Sequence, residues 1–183
     1  MTRIISGRLR GKRIQAPRNL PVRPTTDFAK EGLFNVLHHR YEFSECRVLD
    51  LFAGTGNLSY ELASRGCPEV YSVDNNPHCV KFMEKTAGEL NFEALTIIRA
   101  EALDFLSRDY QEYDLILADP PYDFKAYDSL VNQVFLRRLL RDEDALLIIE
   151  HDERTDLSVL ENFQSQRRYG KVNFSFFGYS DNS

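Results

Sequence analysis

Residues Arg47-Val48-Leu49-Asp50-Leu51-Phe52-Ala53-Gly54-Thr55-Gly56-Asn57 read as a buried strand running straight into a glycine turn. The run from Val48 to Leu51, apolar but for one acid, suits a strand covered on both faces. Glycines at 54 and 56 permit a tight strand-to-helix turn and let a ligand approach the main chain closely. Leu58, Leu62 and Ala63 then suggest a helix that Gly66 stops. Strand, glycine turn and helix in that order open a nucleotide-binding α/β fold, but a dinucleotide fingerprint wants a third glycine where this chain has Ser59. Asp50, at the strand's end, better suits a ligand with an ammonium group, or a water held beside one.

The flanking sequence repeats the unit. Upstream, Thr26 or Asp27 can cap a helix carrying Phe28, Leu33, Phe34 and Leu37. Downstream, strands are predicted at Val70–Val73, Leu95–Ile98, Asp114–Ala118 and Ala145–Ile149. Between them lie helices: one begun by Asn76 and Pro77 and running to about Asn91, one around Leu103–Leu106, and one over Tyr127–Leu140. Arg167–Tyr179 alternates and reads as a closing pair of strands around Gly170. Strands and helices alternating at least four times argue for a doubly wound, mostly parallel sheet in one domain.

At 183 residues, 43% of them hydrophobic, the chain can bury one core but hardly two of equal size. Its longest strictly apolar run, Ala145–Ile149, is far too short to span a bilayer, and Met1–Ile14 lacks the apolar block of a signal peptide. Cys46, Cys67 and Cys79 form no CxxC, and the four histidines form no ligand cluster. A cytoplasmic protein without membrane contact or metal is expected. The net charge is −5, yet the first 26 residues carry Arg3, Arg8, Arg10, Lys12, Arg13, Arg18 and Arg23 and no acid, so this segment is +7 and the rest is −12. A basic arm on an acidic body is the charge pattern of a protein that grips a polyanion by one edge. Ile4, Ile5, Leu9 and Ile14, interleaved with the charges, suggest that residues 1–26 hold a short hairpin, leaving 27–183 as the main domain.

Two further sites carry chemistry. Asp74 lies 18 residues after Gly56 at the end of the second strand of the unit, where a carboxylate can accept hydrogen bonds from both ribose hydroxyls of an adenosine. Asp119-Pro120-Pro121-Tyr122 follows the apolar strand Leu115–Ala118. Two prolines end that strand at the edge where open α/β sheets bind ligands, and they fix Asp119 and the Pro120 carbonyl in extended geometry. Two fixed acceptors beside an aromatic face suit a planar ring bearing an NH₂ group.

Together these residues resemble the S-adenosylmethionine-dependent amino-methyltransferases, whose D/N-P-P-Y/F motif serves methylation of exocyclic or amide nitrogens. Arg3-Ile4-Ile5-Ser6-Gly7, Arg23-Pro24-Thr25-Thr26-Asp27 and Glu31-Gly32-Leu33-Phe34-Asn35 narrow the resemblance to the RsmD-type enzymes, which modify a guanine N2 in small-subunit ribosomal RNA. It extends to Arg168-Tyr169-Gly170-Lys171, nearly the whole chain. The resemblance implies a Rossmann-like class I methyltransferase fold with S-adenosylmethionine as cofactor. Asp50, Ala53, Gly54 and Gly56 would then meet the methionine end of that cofactor, Asp74 its ribose, and Glu101-Ala102 its adenine, although the family usually has Asp or Asn at the position of Glu101. Asp119, Pro120 and Tyr122 would be catalytic. Arg3, Arg8, Arg10, Lys12, Arg13, Arg23 and Pro121 would face the substrate, ribosomal RNA or an assembling small subunit, with the enzyme acting as a monomer. Gly32 replaces a more usual alanine or threonine, at a cost of about 1 kcal/mol in helix propensity. Other readings stay open: a DNA or other RNA amino-methyltransferase, a protein glutamine methyltransferase, a nicotinamide oxidoreductase, and an assembly factor that keeps the fold without catalysis.

Overall fold

Alternate residues of three neighbouring strands divide between two cores. Leu49, Leu51, Ile116, Ala118, Leu147 and Ile149 enter one cluster, and Val48, Leu115, Leu117, Leu146 and Ile148 enter another on the opposite face. The strands are β3 (Arg47–Leu51), β6 (Leu115–Ala118) and β7 (Leu146–Asp152). Their near-continuous apolar sequence is what a sheet covered on both sides requires. The structure is a computed structural model that describes residues 1–17, 20 and 25–179. Arg18, Arg23 and Pro24, named above for the arm, lie outside the described residues.

The remaining elements are β1 (Thr2–Arg3), β2 (Arg13–Ile14), α1 (Asp27–His38), α2 (Asn57–Ser64), β4 (Glu69–Asp74), α3 (Pro77–Glu89), β5 (Leu95–Arg99), α4 (Ala102–Arg108), α5 (Tyr127–Leu136), β8 (Phe163–Tyr169) and β9 (Val172–Phe177). The main sheet runs β5-β4-β3-β6-β7-β9-β8, with β5 to β7 parallel and β9 antiparallel to both its neighbours. Chain order reverses between β3 and β6, which sets the carboxyl ends of those strands side by side at the sheet's switch point. This is the doubly wound, mostly parallel sheet expected. Thr26 caps α1 by accepting from Ala29 N at 3.2 Å, and Asn76 caps α3. No helix among the described residues is long and apolar enough to cross a membrane.

Three local expectations are corrected. The helix expected over Tyr127–Leu140 stops at Leu136, because the chain turns through Arg138 at φ 55° and Leu139 and Leu140 then lie buried against Tyr113. Phe28, grouped by spacing with the apolar residues Leu33, Phe34 and Leu37, does not share their burial and is 66% exposed at the start of α1. Gly32 has a steric purpose: a Cβ there would fall 2.1 Å from the ring of Tyr169, whose hydroxyl donates to the Gly32 carbonyl at 3.1 Å. Gly32→Ala should therefore lose about 1–3 kcal/mol to overpacking, where propensity alone would gain about 1 kcal/mol. Chemical unfolding of Gly32→Ala with and without Tyr169→Ala checks this, since the loss should vanish once the ring is gone.

The basic segment forms the expected hairpin: β1 pairs antiparallel with β2. It is folded onto the body. Ile4 and Ile14 join Tyr60, Ala63, Val80, Met83 and Phe92 in a third core beneath α2 and α3. Every residue of α2 is buried, because the hairpin covers the face that the sheet does not.

Candidate active site

The turn after β3 carries left-handed backbone at three alternate positions: Phe52 (φ 58°), Gly54 (φ 56°) and Gly56 (φ 82°). A bulky residue at positive φ is strained and concentrates at functional sites. Phe52 packs edge-on against Phe124 at 5.2 Å, and Phe124 against Tyr127 at 5.0 Å, so an aromatic wall stands between this turn and the loop after β6. Ala53 N donates to Val73 O and Gly54 N to the Asp74 carboxylate at 2.8 Å, which binds the turn to the end of β4. Ala53 and Gly54 remain half-buried, whereas Gly56 is shut beneath the Tyr60 ring. Gly56 thus serves the turn, and close approach to a ligand is left to Ala53 and Gly54.

Asp50 is buried and accepts a short hydrogen bond from Ser59, whose hydroxyl takes one in turn from Ser72 at 2.8 Å. Ser59, which breaks the dinucleotide fingerprint, is therefore the residue that holds Asp50. Burial pushes the Asp50 carboxyl up to about 7, against the Ser59 hydrogen bond and helped by Asp74. An acid whose value is raised in the folded state keeps its proton where the unfolded chain has lost it. Stability from this group is full below about 4 and is lost as pH rises to about 7. The share of the pH slope of denaturant unfolding due to Asp50 should approach one proton in that window, and Asp50→Asn should reduce the slope by that share while leaving the part due to Asp119.

Asp74 uses one oxygen on Gly54 N and the other on Asn76 N at 2.8 Å, yet it stays half-buried at the open edge of the sheet. Glu101, expected at the adenine, is exposed and caps α4 by accepting from Asp104 N at 3.0 Å. The Ala102 side chain is packed in the core, so a ligand there could meet only its backbone.

Asp119 is partly buried one residue beyond Ala118, which pairs with Leu51 on one side and Ile149 on the other. Pro120 is buried, Pro121 and Tyr122 are exposed, and Phe124 N donates to Pro121 O to close the loop. Burial, then Glu150, then Asp50, pushes the Asp119 carboxyl well above the usual carboxylate range. Side-chain alternation places Asp50, Asp119 and Glu150 on the same face of the sheet, the face of Val48, Leu117 and Ile148. Glu150 is absent from the sequence reading. Its signal was available, since β3, β4, β6 and β7 each carry an acid at the carboxyl end of an apolar run. Thr25 Oγ1 donates to Glu150 at 2.6 Å. The Arg-Pro-Thr-Thr-Asp segment thereby reaches the site through Thr25 while Thr26 caps α1.

The five basic residues of the arm that are described divide. Arg3 pairs with Asp27 (3.2 Å) and Glu31 (3.0 Å), and Arg8 donates to the carbonyls of Leu90 and Asn91 over the Phe92 ring. Arg10, Lys12 and Arg13 are exposed and form no ion pair among the described residues. Also among the described residues, no group of three or more His, Cys, Asp or Glu could hold a metal ion.

The glycine turn and the strand-ending Asp-Pro-Pro-Tyr stand at the switch point of a Rossmann-like class I methyltransferase fold. A family described as conserved hypothetical protein 95 matches residues 2–178, and the chain belongs to it, an RsmD-type methyltransferase. The chain is 30% identical over 165 residues to ribosomal RNA small subunit methyltransferase D of Haemophilus influenzae, covering 88% of this chain and 84% of that one. The solved Escherichia coli protein yhhF superposes with a TM-score of 0.83 at 27% identity over 96% of both chains. The Thermus thermophilus enzyme RsmC, solved with AdoMet and guanosine, shares the fold at a TM-score of 0.71 and 21% identity, over 88% of this chain and 45% of that one. The half-buried Asp74 and the accessible main chain at Ala53 and Gly54 fit the ribose and the methionine end of S-adenosylmethionine.

Proposed function

We propose that the protein transfers a methyl group from S-adenosylmethionine to the exocyclic N2 of a guanine in small-subunit (16S) ribosomal RNA. The observation that carries this reading is Asp119-Pro120-Pro121-Tyr122 at the carboxyl end of β6, beside the glycine turn of β3. The family supports it through relatives named as ribosomal RNA small subunit methyltransferases.

Asp74 takes the ribose hydroxyls, Ala53 and Gly54 offer main chain to the methionine end, and Glu101 with the Ala102 backbone borders the adenine. When bound, the cofactor supplies an electrophilic methyl group. The guanine amino nitrogen is a weak nucleophile because its lone pair is delocalised into the ring. Asp119 and the Pro120 carbonyl accept its two N–H bonds, hold the nitrogen and turn its lone pair toward the methyl, so orientation and electrostatics carry the catalysis. Tyr122 stacks on a base that has left its helix or loop, and Pro121 lines its path. Loss of N2-methylguanosine from 16S RNA of a strain lacking the gene, seen by nucleoside mass analysis, is the expected result. An unchanged nucleoside profile sinks the proposal.

Arg10, Lys12 and Arg13 contact phosphates on this reading. Deleting Met1–Gly11 would not test that, because it also uncovers the core around Ile4. Replacing the three cations with Gln should instead weaken RNA binding about tenfold or more and lower the salt slope by about two to three, with the melting temperature unchanged. A salt titration of RNA binding checks it.

A further inference from the structure

Glu150 follows Ile149, and Asp119 follows the Ala118 that pairs with it, so the two acids are neighbours where β6 leaves the sheet. They emerge on the same face at the same edge. Strands so paired lie about 4.8 Å apart. That spacing puts two carboxylates in a row, as neighbouring acceptors along one edge of a planar ligand. Glu150 is partly buried and is steered by Thr25, whose hydroxyl donates to it at 2.6 Å. A carboxylate has about four lone-pair sites, so it can accept this bond and others together. Asp50 shares the face but is committed to Ser59 inside the fold.

The bases differ at the atom beside the amino group. In guanine, N2 adjoins N1–H, a donor next to a donor. In adenine the amino group adjoins N1, and in cytosine N3, each a bare lone pair. A second acceptor beside Asp119 matches guanine alone and faces lone pair to lone pair with the other two. We propose that Glu150 accepts a hydrogen bond from guanine N1–H and is the specificity-determining residue of the site, with Thr25 as its positioning residue. This rests on the guanine-N2 reading above.

The test separates the two claims. Small subunits are reconstituted around ribosomal RNA that carries either guanosine or 2-aminopurine at the methylated position. 2-Aminopurine keeps the amino group but has a bare lone pair at N1. Single-turnover methylation by the wild type should favour guanosine by about 10²-fold or more, as expected when a buried polar group loses its partner. Glu150→Gln should slow guanosine methylation and narrow that ratio at least about tenfold, because a carboxamide can turn its NH₂ toward N1. Thr25→Val should narrow it less, and carries the test if Glu150→Gln fails to fold. A wild-type ratio near one, or a ratio unchanged in these variants, overturns the role of Glu150 alone. A methyl group located by mass analysis on adenine or cytosine overturns the guanine reading and this inference with it.

Discussion

Asp119→Ala should lower single-turnover methylation about 10²-fold or more, the scale on which removal of one preorganised polar contact acts. Asp119→Asn should keep measurably more activity, because its amide oxygen can still accept an N–H bond where a carboxylate did. Both should bind S-adenosylmethionine as the parent does, since the ribose and methionine contacts lie on β4 and the β3 turn. The amino nitrogen becomes strongly acidic once methylated and charged, so its proton can leave late to water and need not be taken in the rate-limiting step. A general base would behave otherwise: the amide and alanine variants would fail alike, and the wild-type rate would follow one carboxylate. The raised Asp119 carboxyl places such a titration above the ordinary carboxylate range.

The parallel sheet could be read from the sequence because its signal is local. Each buried strand is an apolar run bounded by a turn residue, and β3 begins and ends where that pattern does. Asp119 was equally legible, fixed by the prolines beside it. Less visible was which acids share a site. Glu150 follows the apolar run of β7 as Asp119 follows that of β6, but only the sheet order, with β7 beside β6, makes them neighbours. Glu101 has a second role that was equally local, since an acid three residues before a free helical N–H caps the helix, and here it accepts from Asp104 N. Charge alone could not tell Arg3 and Arg8, spent on the fold, from Arg10, Lys12 and Arg13, which face solvent. Their partners, Asp27, Glu31 and the carbonyls of Leu90 and Asn91, lie far along the chain.

Glu61→Ala should destabilise the fold by about 3–5 kcal/mol, the cost of breaking a buried ion pair from one side. The Glu61 and Lys30 side chains have no solvent exposure and lie 3.5 Å apart. Glu61 also accepts from Ile5 N (2.8 Å), Ser6 N (3.0 Å) and Arg65 Nε (2.8 Å), so one carboxylate ties the hairpin to α2. Lys30 donates to Arg3 O (2.6 Å) and to Asn57 Oδ1 (2.8 Å). The partners are unequal. Lys30→Met leaves Glu61 with Arg65 and two backbone donors and should cost less, whereas Glu61→Ala strands the Lys30 ammonium and frees the hairpin main chain. Lys30→Met with Glu61→Gln should therefore recover part of the single Glu61 loss. Burial already lowers the Lys30 value from 10.5, chiefly against the pull of Glu61, and losing that carboxylate lowers it further. Between that lowered value and pH 10.5 the folded variant holds fewer protons than the unfolded chain, so its stability should rise with pH there while the parent changes less. Denaturant unfolding of the three variants at pH 6 and pH 9, with hydrogen exchange at Ile5 and Ser6, reads all of this. Equal losses for the two single variants, or a Glu61→Ala deficit that does not shrink at the higher pH, would show that the pair is not what fastens the hairpin.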